Sequence, residues 1–282
     1  MPLDMAANVL SNTRLSGDYN VLALAAPDIA SAAASGQFVM VKTGERLEPL
    51  LRRPFSVFEI LKTAGRTAGL SILNKRIGPS TSLLFDARPG DRIQCLGPLG
   101  RPFVPTAAPD EAWLVAGGVG LAPFVMLAEA LRAKSTPTRL YYGARRASEL
   151  FFLEQFEKLG VQLILTTEDG SRVEADPKDG RRARSPQTGR VTVALERDLR
   201  DRPKGAGAML YACGPEAMLA AVARLAAAHG RPSQVSVERV MGCGLGGCYS
   251  CVIPLKGQGR APHYVRSCIA GPVFRGDEIE WH

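Results

Sequence analysis

Four cysteines, Cys243, Cys248, Cys251 and Cys268, follow the spacing C-x4-C-x2-C-x16-C. Three thiols close together followed by a distant fourth is the plant-type spacing for a [2Fe–2S] cluster. The glycines between them supply the rest of the chemistry. Gly242, Gly244, Gly246 and Gly247 allow the tight wrapping and close backbone approach that a cluster demands. They also let backbone N–H groups turn toward sulfur and stabilise its negative charge. A structural zinc site and unliganded thiols are the competing readings. Zinc usually takes C-x2-C-like hooks at both ends, whereas here one hook carries three cysteines and the fourth stands alone.

A second chemical signal is Val115-Ala116-Gly117-Gly118-Val119-Gly120-Leu121-Ala122-Pro123. It follows an apolar run and precedes residues with helical spacing. Glycines at Gly117, Gly118 and Gly120 let a pyrophosphate approach the backbone, and a helix N-terminus there offers free N–H groups. Pro123 suits the first helical position. The pattern is not a regular G-x-G-x-x-G, and a plain strand-to-helix turn accounts for its spacing as well. A second turn, Cys213-Gly214-Pro215, ends another apolar run, and two such turns on one sheet make a dinucleotide crevice. Of the remaining cysteines, Cys213 belongs to that turn. Cys95, in an apolar strand, reads as a small core residue.

These residues need a scaffold, and three regions are expected. Residues 1–105 carry short apolar or alternating runs around Val21–Leu24, Phe38–Val41, Phe55–Phe58 and Leu70–Leu73, separated by Gly, Pro and Lys. This predicts a small closed β-barrel, with a helix over 80–87 capping it. Residues 106–236 alternate strand and helix: strands near 113–116, 140–142, 161–165 and 208–212, helices over 123–133, 148–159 and 216–228. Such alternation predicts an α/β domain with a parallel sheet. Residues 237–282 are a small Cys- and Gly-rich subdomain. The polar stretch 170–190 reads as a mobile surface insertion.

The composition is that of a globular chain, 46% hydrophobic and 22% charged over 282 residues. No apolar run reaches the roughly 20 residues needed to cross a bilayer, and Met1-Pro2-Leu3-Asp4 lacks the order of a signal peptide. A cytoplasmic protein is expected, in which clustered cysteines point to metal rather than disulfides. The net charge of +8 owes much to residues 172–190, including Arg181-Arg182-Ala183-Arg184. With few aromatics for base stacking, this stretch argues against nucleic-acid binding. A solvated basic surface, or one that meets an acidic protein or a nucleotide, fits it better.

Taken together, these segments resemble the ferredoxin–NADP reductase superfamily over nearly the whole chain. Arg53-Pro54-Phe55-Ser56 matches that family's R-x-[YFI]-[ST] flavin motif. The glycine loop matches its G-G-x-G-x-x-P motif, and Cys213-Gly214-Pro215 its C-G-P motif. The cysteine region, with Cys268-Ile269-Ala270-Gly271-Pro272-Val273-Phe274, narrows the resemblance to electron-transfer subunits of NAD-dependent dihydroorotate dehydrogenase complexes.

The resemblance implies FAD, NAD(H) and the cluster as cofactors. Arg53 is then expected to pair with the FAD pyrophosphate, as a charged fork suits phosphate. Ser56 is expected near flavin N5, with Pro54 and Phe55 beside the ring. Leu73, Asn74, Lys75, Ser80 and Thr81 match further flavin contacts, with Ser80 standing where the family usually has Gly. Gly97-Pro98-Leu99-Gly100 matches the loop that ends the barrel. Without the motif match, Arg53 and Ser56 are a common surface charge and a plain strand residue.

The implied role is a relay in pyrimidine biosynthesis between an FMN-containing dihydroorotate dehydrogenase partner, in a heterotetramer, and NAD, with no membrane or nucleic-acid partner. Two alternatives stay open. One is the small subunit of an NADH-dependent ferredoxin:NADP oxidoreductase or a sulfide dehydrogenase, and the other a non-catalytic protein that keeps the fold. NADP(H) is open too, because Arg145 and Arg146 follow a strand and could meet a 2′-phosphate. The scattered His229, His263 and His282 are assigned no catalytic role.

Overall fold

The structure is a computed structural model that describes residues 1–43, 48–105, 111–176, 180–202, 207–257 and 261–281. His282, the boundary expected near 106 and residues 177–179 of the basic stretch lie outside the described residues. The chain divides into two compact units: residues 1–103, 122–126 and 239–273, and residues 104–121, 127–238 and 274–282.

In the first unit, described strands β1 (Leu3–Arg14), β2 (Tyr19–Ala25), β3 (Phe38–Thr43), β4 (Arg53–Thr63), β5 (Arg66–Lys75) and β6 (Arg92–Leu99) close a barrel in the order β1-β2-β5-β4-β3-β6. Every neighbouring pair around it is antiparallel. Val9, Leu22, Leu24, Val39, Val41, Val57, Leu70, Ile72 and Ile93 fill the interior, at about 1.5–3 kcal/mol for each large side chain removed from water. The expected runs fall inside β2, β3, β4 and β5. Helix α1 (Pro27–Ala32) buries Ile29 and Ala30, and α2 (Pro79–Asp86) occupies the place of the expected helix over 80–87.

Three asparagines dock α2 on the barrel. Asn12 Nδ2 donates to the carbonyls of Phe85 and Ala87 at 2.9 and 2.7 Å, satisfying groups at the end of the helix. Asn20 Nδ2 donates to Asn12 Oδ1 at 2.7 Å, and Asn74 Nδ2 donates to Asn20 Oδ1 at 2.8 Å and to the Thr81 carbonyl at 3.0 Å. At the other end of α2, Thr81 Oγ1 accepts the Ile77 and Gly78 amides, both at 2.9 Å. That is half of a capping box, and Pro79 occupies the first helical position.

In the second unit, β7 (Glu111–Gly117), α3 (Phe124–Ala133), β8 (Thr138–Ala144), α4 (Leu153–Lys158), β9 (Gln162–Thr167), β10 (Gln187–Thr188), α5 (Val191–Arg200), β11 (Ala208–Cys213), α6 (Glu216–Ala228) and β12 (Ser233–Ser236) follow in order. After β13 (Val252–Leu255), β14 (His263–Arg266) and α7 (Ser267–Ala270), β15 (Val273–Arg275) ends the elements. The larger sheet runs β10-β9-β8-β7-β11-β12-β15. From β10 to β12 every pair is parallel, as expected.

Two local expectations are corrected. A 3-10 turn over Gly118–Leu121 intervenes before α3, which starts at Phe124. The helix expected over 148–159 is split: Phe152 takes φ 61° and α4 spans only Leu153–Lys158. The expected mobile insertion folds back on itself through bridges Val173–Arg184 and Asp176–Arg181. It is pinned to α4 where Arg184 Nη2 meets Glu154 at 3.1 Å and Glu157 at 2.9 Å.

At the start of β7, Glu111 accepts from Trp113 Nε1 at 2.7 Å and pairs with Arg202 at 2.7 Å and Arg139 at 3.3 Å. Both guanidinium groups also lie over the Trp113 ring. Burial lifts the Glu111 carboxyl, but the Trp113 and Arg202 hydrogen bonds and the two arginine charges outweigh it, leaving the group below its ordinary range.

Candidate functional site

The cysteine loop belongs to the first unit. A hairpin explains the long final spacing. Strands β13 and β14 pair antiparallel with Val252 opposite Arg266, and the Ser267 amide donates to the Cys251 carbonyl at 2.9 Å. The hairpin therefore brings Cys268 beside Cys251 in one buried cluster. Cys248 and Cys243 are near enough to influence each other's titration, and Cys268 also feels the charge of Cys243. The four sulfurs thus form two neighbouring pairs. Among the described residues, no three His, Cys, Asp or Glu side chains converge to hold a single metal ion. Two pairs suit two bridged irons, each taking two thiolates, better than one tetrahedral zinc.

The loop is seated on the barrel. Phe38, Met40, Leu96 and Leu99 form one buried cluster with Met241, Cys251 and Cys268. Gly244 takes φ +72°, and a Cβ there would stand 2.7 Å from Met40 Cγ; only glycine combines that angle with that approach. The Leu245 amide donates to Cys243 Sγ at 3.4 Å, and Ser250 Oγ lies 3.1 Å from Cys248 Sγ while accepting the Gly242 amide at 3.0 Å. The Ser250 hydroxyl, then its amide and Cys243, pull the Cys248 thiol down to about 6. Burial, followed by Cys251, pushes Cys268 up to about 12. Arg266 donates to the Gly246 carbonyl at 2.7 Å and stacks 4.8 Å over Tyr249.

The flavin motif lies on β4 of the same unit. Arg53 is exposed at the strand start, and its longest reach is to its own neighbours, the carbonyls of Leu51 and Arg52 at 3.5 and 3.3 Å. Among the described residues no carboxylate is recorded in an ion pair with it. Pro54 and Ser56 are half-buried, opposite Met40 and Phe38 of β3, and Phe55 packs against the barrel core. Leu73 and Asn74 are buried at the end of β5, where Lys75 stands 4.9 Å over the Tyr19 ring. Ser80 and Thr81 sit in the first turn of α2. Asn74 Oδ1 is buried with no hydrogen-bond partner. A guanidinium with no carboxylate partner among the described residues and a helix first turn suit a phosphate, while the unpaired Asn74 oxygen suits a hydroxyl or N–H donor of a nucleotide. Asn12 and Asn20, which hold this region, went unnoticed in the sequence; polar residues within strand runs were the signal for them.

The two glycine turns belong to the second unit and are neighbours. β7 and β11 pair with Ala116 opposite Cys213. From β7 the chain steps outward to β8 and β9, and later fills the other side with β11 and β12, so the order reverses between β7 and β11. A crevice outside the carboxyl ends at such a reversal is where open α/β sheets bind nucleotides. A Cβ on Gly120 would stand 2.2 Å from the Cys213 carbonyl oxygen, and one on Gly117 would stand 2.8 Å from Pro215 Cδ. Gly118 takes φ +54° and Gly214 φ +153°. Pro215 precedes α6 as its N-cap residue. Burial pushes the Cys213 thiol up to about 12 despite a hydrogen bond with Ser236. Arg145 and Arg146 are exposed beyond β8. Beyond β9, Asp169 accepts the Ser171 hydroxyl and amide at 2.6 and 2.9 Å. Those bonds, with the nearby Arg146 charge, hold Asp169 below the usual carboxylate range.

Comparison with known proteins agrees with this geometry. Residues 238–280 match the family described as the iron-sulfur cluster binding domain of dihydroorotate dehydrogenase B, and residues 114–224 match the oxidoreductase NAD-binding domain. The chain is 34% identical over 256 residues to the electron transfer subunit of dihydroorotate dehydrogenase B (NAD(+)) of Desulforamulus reducens, covering 91% of this chain and 90% of that one. It is 36% identical over 260 residues to the same subunit of Geobacillus thermodenitrificans, covering 92% and 91%. Among solved structures, one from the NADH-dependent reduced ferredoxin-NADP oxidoreductase superposes with a TM-score of 0.79 at 25% identity, covering 98% of this chain and 90% of that one. The Amycolatopsis cytochrome P450 reductase GcoB superposes with a TM-score of 0.63 at 28% identity, covering 81% and 66%.

Proposed function

This chain belongs to the family of electron transfer subunits of dihydroorotate dehydrogenase B, and from that membership we propose that it holds one FAD and one [2Fe–2S] cluster and relays electrons between an FMN-containing catalytic subunit and NAD(H). The paired thiols on the barrel-seated loop are the observation that carries this proposal. Bound together, flavin and cluster supply the conversion between hydride and single-electron transfer.

The protein's own residues bind and orient. Arg53 and the first turn of α2 grip the flavin pyrophosphate, Asn74 and its partners fix that turn, and Ser56 offers a hydroxyl to the ring. Cys243, Cys248, Cys251 and Cys268 would hold the cluster. Gly117, Gly118, Gly120 and Gly214 leave room for the nicotinamide dinucleotide. NAD(H) rather than NADP(H) is proposed from family membership. Val240, Leu245, Tyr249, Tyr264 and Ile269 are exposed apolar side chains on and around the cysteine region, which supports docking of the catalytic subunit there, within a heterotetramer.

An absorption spectrum of anaerobically purified protein, with iron and flavin counted, tests the proposal. Two irons and one flavin per chain are expected, and a flavin band without iron overturns the cluster. In Cys248→Ser, reduction of flavin by NADH should survive while electron passage to the catalytic subunit is lost. Equal loss of both counts against this division of labour. The superposition on the NADH-dependent ferredoxin-NADP oxidoreductase favours a second reading, a small subunit of such an enzyme. Co-purification with a large flavoprotein carrying further clusters, rather than with an FMN dehydrogenase, would select it.

A further inference from the structure

We propose that the Ser250 hydroxyl raises the reduction potential of the iron–sulfur group by hydrogen bonding to the sulfur of Cys248. The inference rests on the four cysteines holding a cluster, as proposed above.

The geometry offers the hydroxyl proton a sulfur acceptor. A serine hydroxyl has one proton to give and lone pairs to receive. Ser250 Oγ already receives the Gly242 N–H at 3.0 Å, and Cys248 Sγ stands 3.1 Å away. A thiolate bound to iron has no proton of its own, so sulfur is the acceptor and Ser250 the donor. The Gly242 amide fixes the oxygen, so the bond is held by backbone rather than by a rotamer in free exchange with water.

Hydrogen bonds to ligand sulfur and local charge are among the levers that set cluster potentials. An added electron increases the negative charge on the ligand sulfurs. A hydrogen bond to a charged acceptor is stronger than one to a neutral group, so the O–H stabilises the reduced state more than the oxidised one. Arg266, bonded to Gly246 and stacked on Tyr249, contributes positive charge to the same loop and is unchanged in Ser250 variants. Cys248, Tyr249 and Ser250 are exposed, so a partner covering this loop would strip competing water and strengthen the bond.

The test compares the full chain, purified anaerobically, with Ser250→Ala and Ser250→Thr by EPR-monitored redox titration of the cluster. Resonance Raman spectra of the iron–thiolate stretches in H2O and D2O accompany it. Ser250→Ala should titrate at a more negative potential than wild type with unchanged iron and flavin content, and should lose part of the D2O sensitivity. Ser250→Thr, which keeps the hydroxyl, should restore both. Coincident titration of wild type and Ser250→Ala, or a threonine variant that behaves like alanine, overturns the inference. Should the alanine variant fail to retain iron, wild-type potential and D2O sensitivity in Ser250→Thr support the inference, and a wild-type spectrum insensitive to D2O overturns it. Wild-type protein without iron would sink the cluster assignment itself, a distinct failure.

Discussion

Asn74 Nδ2 reaches the Thr81 carbonyl at 3.0 Å and so ties the end of β5 to the first turn of α2. The same nitrogen serves Asn20 Oδ1, and both acceptors lose their donor if the side chain is cut back. Asn74→Ala should destabilise the barrel unit by about 2 kcal/mol, the usual cost of leaving buried polar groups unpaired. It should also weaken FAD binding while leaving iron content unchanged. Flavin release followed by fluorescence, beside iron analysis, checks both; equal loss of flavin and iron would mean that the asparagine acts on the whole unit.

Among the described residues no carboxylate pairs with Arg53, so its removal should cost ligand rather than fold. Arg53→Ala is expected to weaken FAD roughly 10- to 100-fold, the scale of a lost charged hydrogen bond of about 1.5–3 kcal/mol. Thermal unfolding of the flavin-free protein should hardly move. Isothermal titration with FAD reads the first effect, and an unchanged affinity would remove Arg53 from the site.

Gly120 faces backbone, and backbone cannot step aside. A Cβ standing 2.2 Å from the Cys213 carbonyl oxygen must push apart the ends of β7 and β11. Gly120→Ala should destabilise the second unit by about 1–3 kcal/mol and weaken NADH binding at least tenfold. Gly118→Ala meets no atom within 4 Å, though its φ of +54° strains any side chain; it should be the milder of the two. Denaturant melts of the two variants side by side would settle the ranking.

Glu111 gives a pH dependence with a definite sign. Its folded-state carboxyl lies below the ordinary value of 4.5. The unfolded chain therefore binds its proton first as pH falls, and the stability contributed by the group is present above about 4.5 and is lost as pH drops through the lower folded value. Glu111→Gln should flatten that acid limb and leave the dependence near neutrality unchanged. Urea melts between pH 3 and 7, about the range over which such a group titrates, would show an acid limb as steep as wild type if the assignment is wrong.

Much of this architecture was legible because it is local. Runs such as Phe38–Val41 and Leu70–Leu73 are apolar over a strand's length, and 216–228 is a helix by spacing alone. What escaped was set by distant partners. β1 carries Asn8, Ser11 and Asn12 and has little alternation, yet it closes the barrel because β2 and β6 both need an edge to pair with. β12 is only four residues long and exists through pairing with β11. The site shows the same division: the candidate set of cysteines was readable from spacing, but the placing of Cys268 beside Cys251 depends on the β13–β14 hairpin. Asn12, Asn20 and Asn74 each show as polar residues within strand runs, but only the pairing of β1, β2 and β5 joins them into a chain.

The wall formed by Phe38, Met40, Leu96 and Leu99 is finished by Met241, Cys251 and Cys268, side chains that lie as much as roughly two hundred positions away along the chain, a separation that slows assembly. While the polypeptide is still emerging from the ribosome, a greasy flank of an otherwise closed barrel must stay wet, a transient liability to aggregation. That flank is therefore covered only after Cys268 has been synthesised, so the cysteine segment serves as the barrel's last wall as well as its candidate cluster loop.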